Sequence, residues 1–246
     1  MSISREALEY LVNEGVEKNP IVELPNGTYS KVSLKRVCDP VANSLVVSTL
    51  TGLIDYIKTN TDSLKGKLLI QVESPTQVNL FSPLNADRTR EEYIEAKAVL
   101  PENIYYGQFM DTERFNIMLQ SSFADEGEGN DKPLILKFTG LVKDEAVKTI
   151  GDDGVTQSAT IKTGITTVGN AQVPNPVILA PYRTFPEIEQ PLSKFIFRMK
   201  NDRGPEAALF EADGKAWRNK AIRDIKEYLE KALEDLEGDL QIQIIA

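Results

Sequence analysis

Five of the chain's thirteen prolines fall between Pro174 and Pro191, in the stretch PNPVILAPYRTFPEIEQP. Each proline fixes φ at about −65°, removes a backbone donor and turns the preceding residue away from helical geometry. Neither a helix nor an interior strand can therefore run through this stretch. The fold has to be assembled from the segments on either side, with an irregular edge between them. Pro181 and Pro186 bracket the tetrad Tyr182-Arg183-Thr184-Phe185. A backbone stiffened in this way has little ordering entropy left to lose on binding, so the tetrad is a candidate ligand-facing rim. The alternative is scaffolding at a sheet edge.

The flanking sequence alternates helix and strand signals. Ser4 caps a first helix with Ala7, Leu8, Leu11 and Val12 on one stripe and Gly15 at its end. Ile21–Leu24 and Tyr29–Leu34 flank Pro25-Asn26-Gly27-Thr28, a hairpin signal. Leu45–Val47 leads to a helix capped by Thr49 and ending near Asn60. Lys67–Glu73, Gln77–Phe81 and Tyr93–Val99 follow as an antiparallel meander. Asp111 or Thr112 caps a helix carrying Phe115, Met118, Leu119 and Phe123. Beyond the acidic tract Ala124–Asp131, strands are predicted over Leu134–Val142, Ala146–Ile150, Val155–Lys162 and around Phe195–Lys200. A strand at Ala207–Glu211, a helix from about Lys215 to Leu236 and a strand at Leu240–Ile245 close the chain's pattern. The expectation is an α+β fold, with mostly antiparallel sheets and three or four packed helices. The acidic tract divides it into an N-terminal α+β subdomain (1–124) and a C-terminal β-rich subdomain with a terminal helix (132–246), or bends within one compact domain.

Function is bounded first by what is missing. The 246 residues include no histidine, which removes Ser-His-Asp, Cys-His and histidine-ligated metal sites. A net charge of −9 opposes sequence-independent binding to polymeric nucleic acid. The N-terminus has no apolar signal region, no apolar run is long enough to span a bilayer, and the single Cys38 cannot form an internal disulfide. Those features predict a cytoplasmic protein, with no membrane partner and no cofactor.

Several motifs invite chemistry and read more simply as turns or surface. Gly164–Gly169 has the spacing of a phosphate loop, but Asn170 and Ala171 replace its lysine and hydroxyl residue, and Val173-Pro174 follows where a helix is needed. It reads as a glycine-hinged turn. The carboxylates of 125–131 do not follow the calcium-loop order, and Asp152-Asp153 before Gly154 is turn chemistry. Glu187 and Glu189 would share a side in an extended segment, as a general acid and base would, but no electrophile-stabilising group accompanies them. The constellation singled out for ligand binding is Lys162, Tyr182, Arg183, Thr184, Arg198 and Lys200. Two adjacent alternating strands would line up cations along one polar face, and the tetrad would add a guanidinium and a stacking ring.

Asp152–Gln157, Lys162-Thr-Gly164, Val173–Val177, Pro181–Glu187, Gln190-Pro191 and Phe195–Arg198 resemble a family of uncharacterised proteins encoded by tailed bacteriophages and prophages. The helices at Thr49–Asn60 and Asp111–Phe123 sit in similar places in that family. The resemblance implies a phage origin, expression inside an infected bacterium and a role outside the virion. It carries no catalytic residues. Three expectations follow. The first is a non-catalytic binding protein that sequesters a small anionic or nucleotide-like host molecule as counter-defence. The second is an adaptor or inhibitor acting on a host or phage enzyme. The third is a carboxylate- or metal-dependent enzyme. Edge strands and rim prolines that need cover predict a homo-oligomer.

Overall fold

The computed structural model describes residues 4–15, 21–25, 27–30, 42–85, 88–125, 127–141, 147–152, 157–163, 166–201, 204–236 and 240–246. The chain separates into two compact units, Met1–Ala42 and Asn43–Ala246. In the first unit, α1 (Arg5–Gly15) begins at Ser4, whose Oγ accepts from the Ala7 N–H at 3.2 Å. β1 (Ile21–Leu24) then pairs antiparallel with β2 (Gly27–Ser30). Gly27 opens β2 at φ 148°, a backbone region that a side chain disfavours. Cys38 lies outside the described residues.

The second unit runs β3 (Leu45–Val47), α2 (Leu50–Thr59), β4 (Gly66–Ser74), β5 (Gln77–Phe81), β6 (Glu92–Lys97), β7 (Met110–Asp111), α3 (Thr112–Ser122) and α4 (Lys132–Leu141). It continues with β8 (Val147–Asp152), β9 (Gln157–Thr163), β10 (Thr166–Gln172), β11 (Val177–Leu179), β12 (Ser193–Asn201), β13 (Pro205–Glu211), α5 (Trp217–Ala232) and β14 (Leu240–Ile245). The protein is α+β, with mostly antiparallel sheets.

The largest sheet has the order β14-β4-β5-β6-β3. Its centre is the expected antiparallel meander, and each edge strand runs parallel to its neighbour. Period-two alternation sends Leu68, Ile70, Val72, Val78, Leu80, Ile94 and Ala96 to one face. There they meet Leu53 and Ile57 of α2 and Ile225 and Leu229 of α5, forming one core cluster. A second sheet, β11-β12-β13-β7, turns Phe195, Phe197 and Met199 towards Phe115, Met118 and Leu119 of α3 and Ile135 and Phe138 of α4. A third sheet has the order β10-β9-β8.

Leu134–Val142 was predicted as a strand, whereas α4 occupies Lys132–Leu141. Ile135, Phe138 and Thr139 fall on one buried face at helical intervals, and Pro133 stands in the first turn, where its missing N–H is no loss. This helix is the one beyond the three or four expected. The unit boundary falls between Ala42 and Asn43, and the acidic tract lies inside the second unit. The tract is tied to the edge of β11: Ala124 N–H donates to the Ala180 carbonyl, Asp131 N–H to the Ile178 carbonyl, and Ile178 N–H to Asp131 Oδ2, each at 2.8 Å. Backbone bonding of this kind closes a sheet edge and leaves no linker.

Candidate functional site

The proline-rich stretch is a bend fastened from inside. Gln190 Oε1 accepts from the N–H groups of Arg183 (2.9 Å) and Thr184 (3.3 Å), and its Nε2 donates to the carbonyls of Phe185 (3.2 Å) and Ile188 (3.1 Å). Gln190 is buried, and its single amide thus satisfies backbone groups that the prolines exclude from any ladder. Thr184 Oγ1 donates to the Pro75 carbonyl in the β4–β5 turn at 2.6 Å. Phe185 and Ile188 insert into the core beneath the largest sheet.

This fastening turns Arg183 inward, which corrects its expected place on a rim. Only 6% of Arg183 is exposed. Its Nη1 donates to Glu211 Oε1 at 3.1 Å, and its Nη2 donates to Ser193 Oγ and, at 3.5 Å, to the Pro191 carbonyl. The guanidinium lies over the Trp217 ring at 4.1 Å and over Phe195 at 5.7 Å. Burial pulls its pKa down, opposed by Tyr106, Asp213 and Glu211. Tyr106 stacks on Phe195 at 5.5 Å, and burial pushes its phenol up to about 12. The physical reason for the inward turn is the aromatic floor: a planar, weakly hydrated cation packs on Trp217 where an ammonium would not.

The other predicted cations do not converge on Arg183. Arg198 and Lys200 lie on the face of β12 opposite to Phe195. Lys200 pairs with Glu206 at 2.7 Å and stands over Phe109 at 4.8 Å. Lys162 sits in β9, which belongs to the three-stranded sheet and does not pair with β12, although Gln157 at its start bonds both backbone groups of Met199; the Lys162 side chain lies outside the described residues. Gly164 and Ile165 are likewise outside them; the flanking strands β9 and β10 pair antiparallel, so no helix follows. Asp153 also falls outside, and among the described residues no group of carboxylates or cysteine is arranged to hold a metal.

What the bend does present is a cleft of about 830 Å³. Tyr182, Pro186, Glu187 and Glu189 form one wall, Ser48, Thr49, Val99 and Pro101 another, and Ala124, Asp125 and Gly127 a third. Tyr182 is 39% exposed, while Thr184 contributes from its buried position. Among the described residues, three carboxylates line this space and no lysine or arginine does. Glu187 Oε1 accepts from the Thr51 N–H (2.8 Å) and hydroxyl (2.9 Å), placing an anion at the positive end of α2, where Thr49 also caps the Gly52 N–H at 3.1 Å. Its Oε2 is buried without a partner. Asp125 pairs at 2.6 Å with Lys132, whose ammonium is buried and also donates to the Phe123 carbonyl at 2.6 Å. Glu189 is exposed at the rim.

Sequence reasoning weighed Glu187 and Glu189 as an extended pair and set them aside. A turn, with Ile188 N–H donating to the Phe185 carbonyl at 3.1 Å, sends them to different tasks in one cleft. No local signal joins them to Ser48, Pro101 or Asp125. Comparison with protein-family models, with curated proteins and with solved structures finds no match to this chain.

Proposed function

We infer that the protein is a non-catalytic binding module that holds a basic side chain of a partner polypeptide in the Tyr182–Glu189 cleft. The carrying observation is the cleft's lining around a wall that is already fixed: among the described residues it has three carboxylates, one of them paired to Lys132, and no lysine or arginine. A lysine or arginine entering there meets Glu189 at the rim, with the Glu187 carboxylate adding negative charge beneath and Tyr182 beside it as a flat apolar surface. The chain's net charge of −9 assists encounter with a basic partner. Preorganisation by Gln190 lowers the ordering cost of binding. This favours the adaptor or inhibitor role over capture of a small anion, because the guanidinium that would have met an anion is committed to Glu211 and Trp217. The resemblance to tailed-phage proteins sets that role in an infected bacterial cytoplasm, with a host or phage enzyme as the partner.

Selection of a random peptide library on the immobilised protein tests the reading. Expected are sequences with a recurrent lysine or arginine, and a loss of binding of at least about tenfold in Glu189→Lys, the equivalent of ~1.4 kcal/mol. Indifference to peptide charge, or a rise in melting temperature with nucleotides in place of peptides, would refute it.

A further inference from the structure

We propose that β14 is a self-pairing edge, through which two copies of the chain join their largest sheets antiparallel about a twofold axis. The proposal is independent of the cleft. Among the described residues β14 hydrogen-bonds only to β4, so alternate residues along it direct backbone N–H and C=O groups away from the sheet. Other edges in this and the four-stranded sheet are short or covered. β3 has three residues and β7 has two, and β11 is bonded along its outer side by the 123–131 segment. β14 is six residues long and reads LQIQII, with no charge, proline or glycine to deter another strand.

The alternation of this strand fits its own copy. Leu240, Ile242 and Ile244 pack towards the core under α5, while Gln241, Gln243 and Ile245 are exposed. Residues directly opposed in an antiparallel pair project from the same face, so only registers that match core-side with core-side residues are allowed. The register centred on Ile242 sets that residue against itself, Leu240 against Ile244, and Gln241 against Gln243. Apolar groups then meet apolar groups, and each glutamine amide faces another that can both donate and accept. With no charge to select a different partner, a second copy is the occupant that satisfies both faces at once.

Sedimentation equilibrium over a concentration series reads the outcome. The wild-type chain is expected to reach twice its monomer mass. Gln241→Lys combined with Gln243→Lys opposes like charges twice across the axis, and should weaken the dimer at least tenfold at low salt. Gln241→Lys combined with Gln243→Glu opposes unlike charges in the same register, and should keep it. Circular dichroism checks that both variants fold. Should the double-lysine variant fail to fold, hydrogen exchange on the wild type decides, since alternate β14 amides must gain protection as concentration rises. A wild type that stays monomeric, a dimer that survives the double-lysine change, or its loss in both variants overturns the proposal.

Discussion

A guanidinium withdrawn from water needs partners, and Arg183 finds them at its two terminal nitrogens in Glu211, Ser193 and the Pro191 carbonyl and on the faces of Trp217 and Phe195, while its Nε is buried without one. Arg183→Ala should lower the unfolding free energy by about 3 kcal/mol, the lower end for breaking a buried pair because Glu211 is partly hydrated. Arg183→Lys should recover little of it, since an ammonium cannot fork to Ser193 and Glu211 while lying flat on the indole. Urea titration measures both. Tyr106 adds a pH dependence. An unfolded tyrosine titrates near 10 and this buried phenol near 12, so between those values the unfolded chain binds fewer protons and stability falls as pH rises. Tyr106→Phe should flatten that alkaline decline, read from melts across the window.

Among the elements, α2 shows how much a short stretch can specify by itself. Thr49 accepts from Gly52, the buried face is Leu50, Leu53, Ile54, Tyr56 and Ile57, and Asn60 ends the helix at φ 46°. Thr49→Ala should cost about 1 kcal/mol, and Glu187→Gln a further ~0.3–1 kcal/mol, because each supports a different N–H at the same helix end. Chemical denaturation of the single and double variants checks this. Thr49 and Asn60 were legible because cap and stop act within a few residues. By contrast, Leu134-Ile135-Leu136 is apolar at every position, so its period is hidden until Phe138 and Thr139 are seen to share a face with Ile135. The parallel partners at either edge of the large sheet were not legible either, for β14 meets β4 only across most of the chain. The proline-bracketed bend was visible in the sequence as a rigid feature. The direction in which Arg183 points was not, because it depends on Trp217 and Glu211 arriving from distant segments.

At the level of the whole second unit, two core clusters are interleaved along the chain. Val177 and Leu179 belong to the cluster under α3 and α4, and Phe185 and Ile188, a few residues later, to the one under α2 and α5. Gln190 fastens the bend between them, so Gln190→Leu, which strands the buried N–H groups of Arg183 and Thr184, should cost ~1–3 kcal/mol for each. Native-state hydrogen exchange should show the amides of β4 and β12 opening together in the wild type and separately in this variant. The same interleaving governs what would follow from cutting the chain in the 125–131 loop. The first fragment would carry α3 without the β12 and β13 that it packs against, and the second would carry Phe185, α5 and β14 without the β4 and β5 that receive them. Neither piece could close an oily interior alone, so the halves would assemble only as a complementing pair, a property suited to a split reporter.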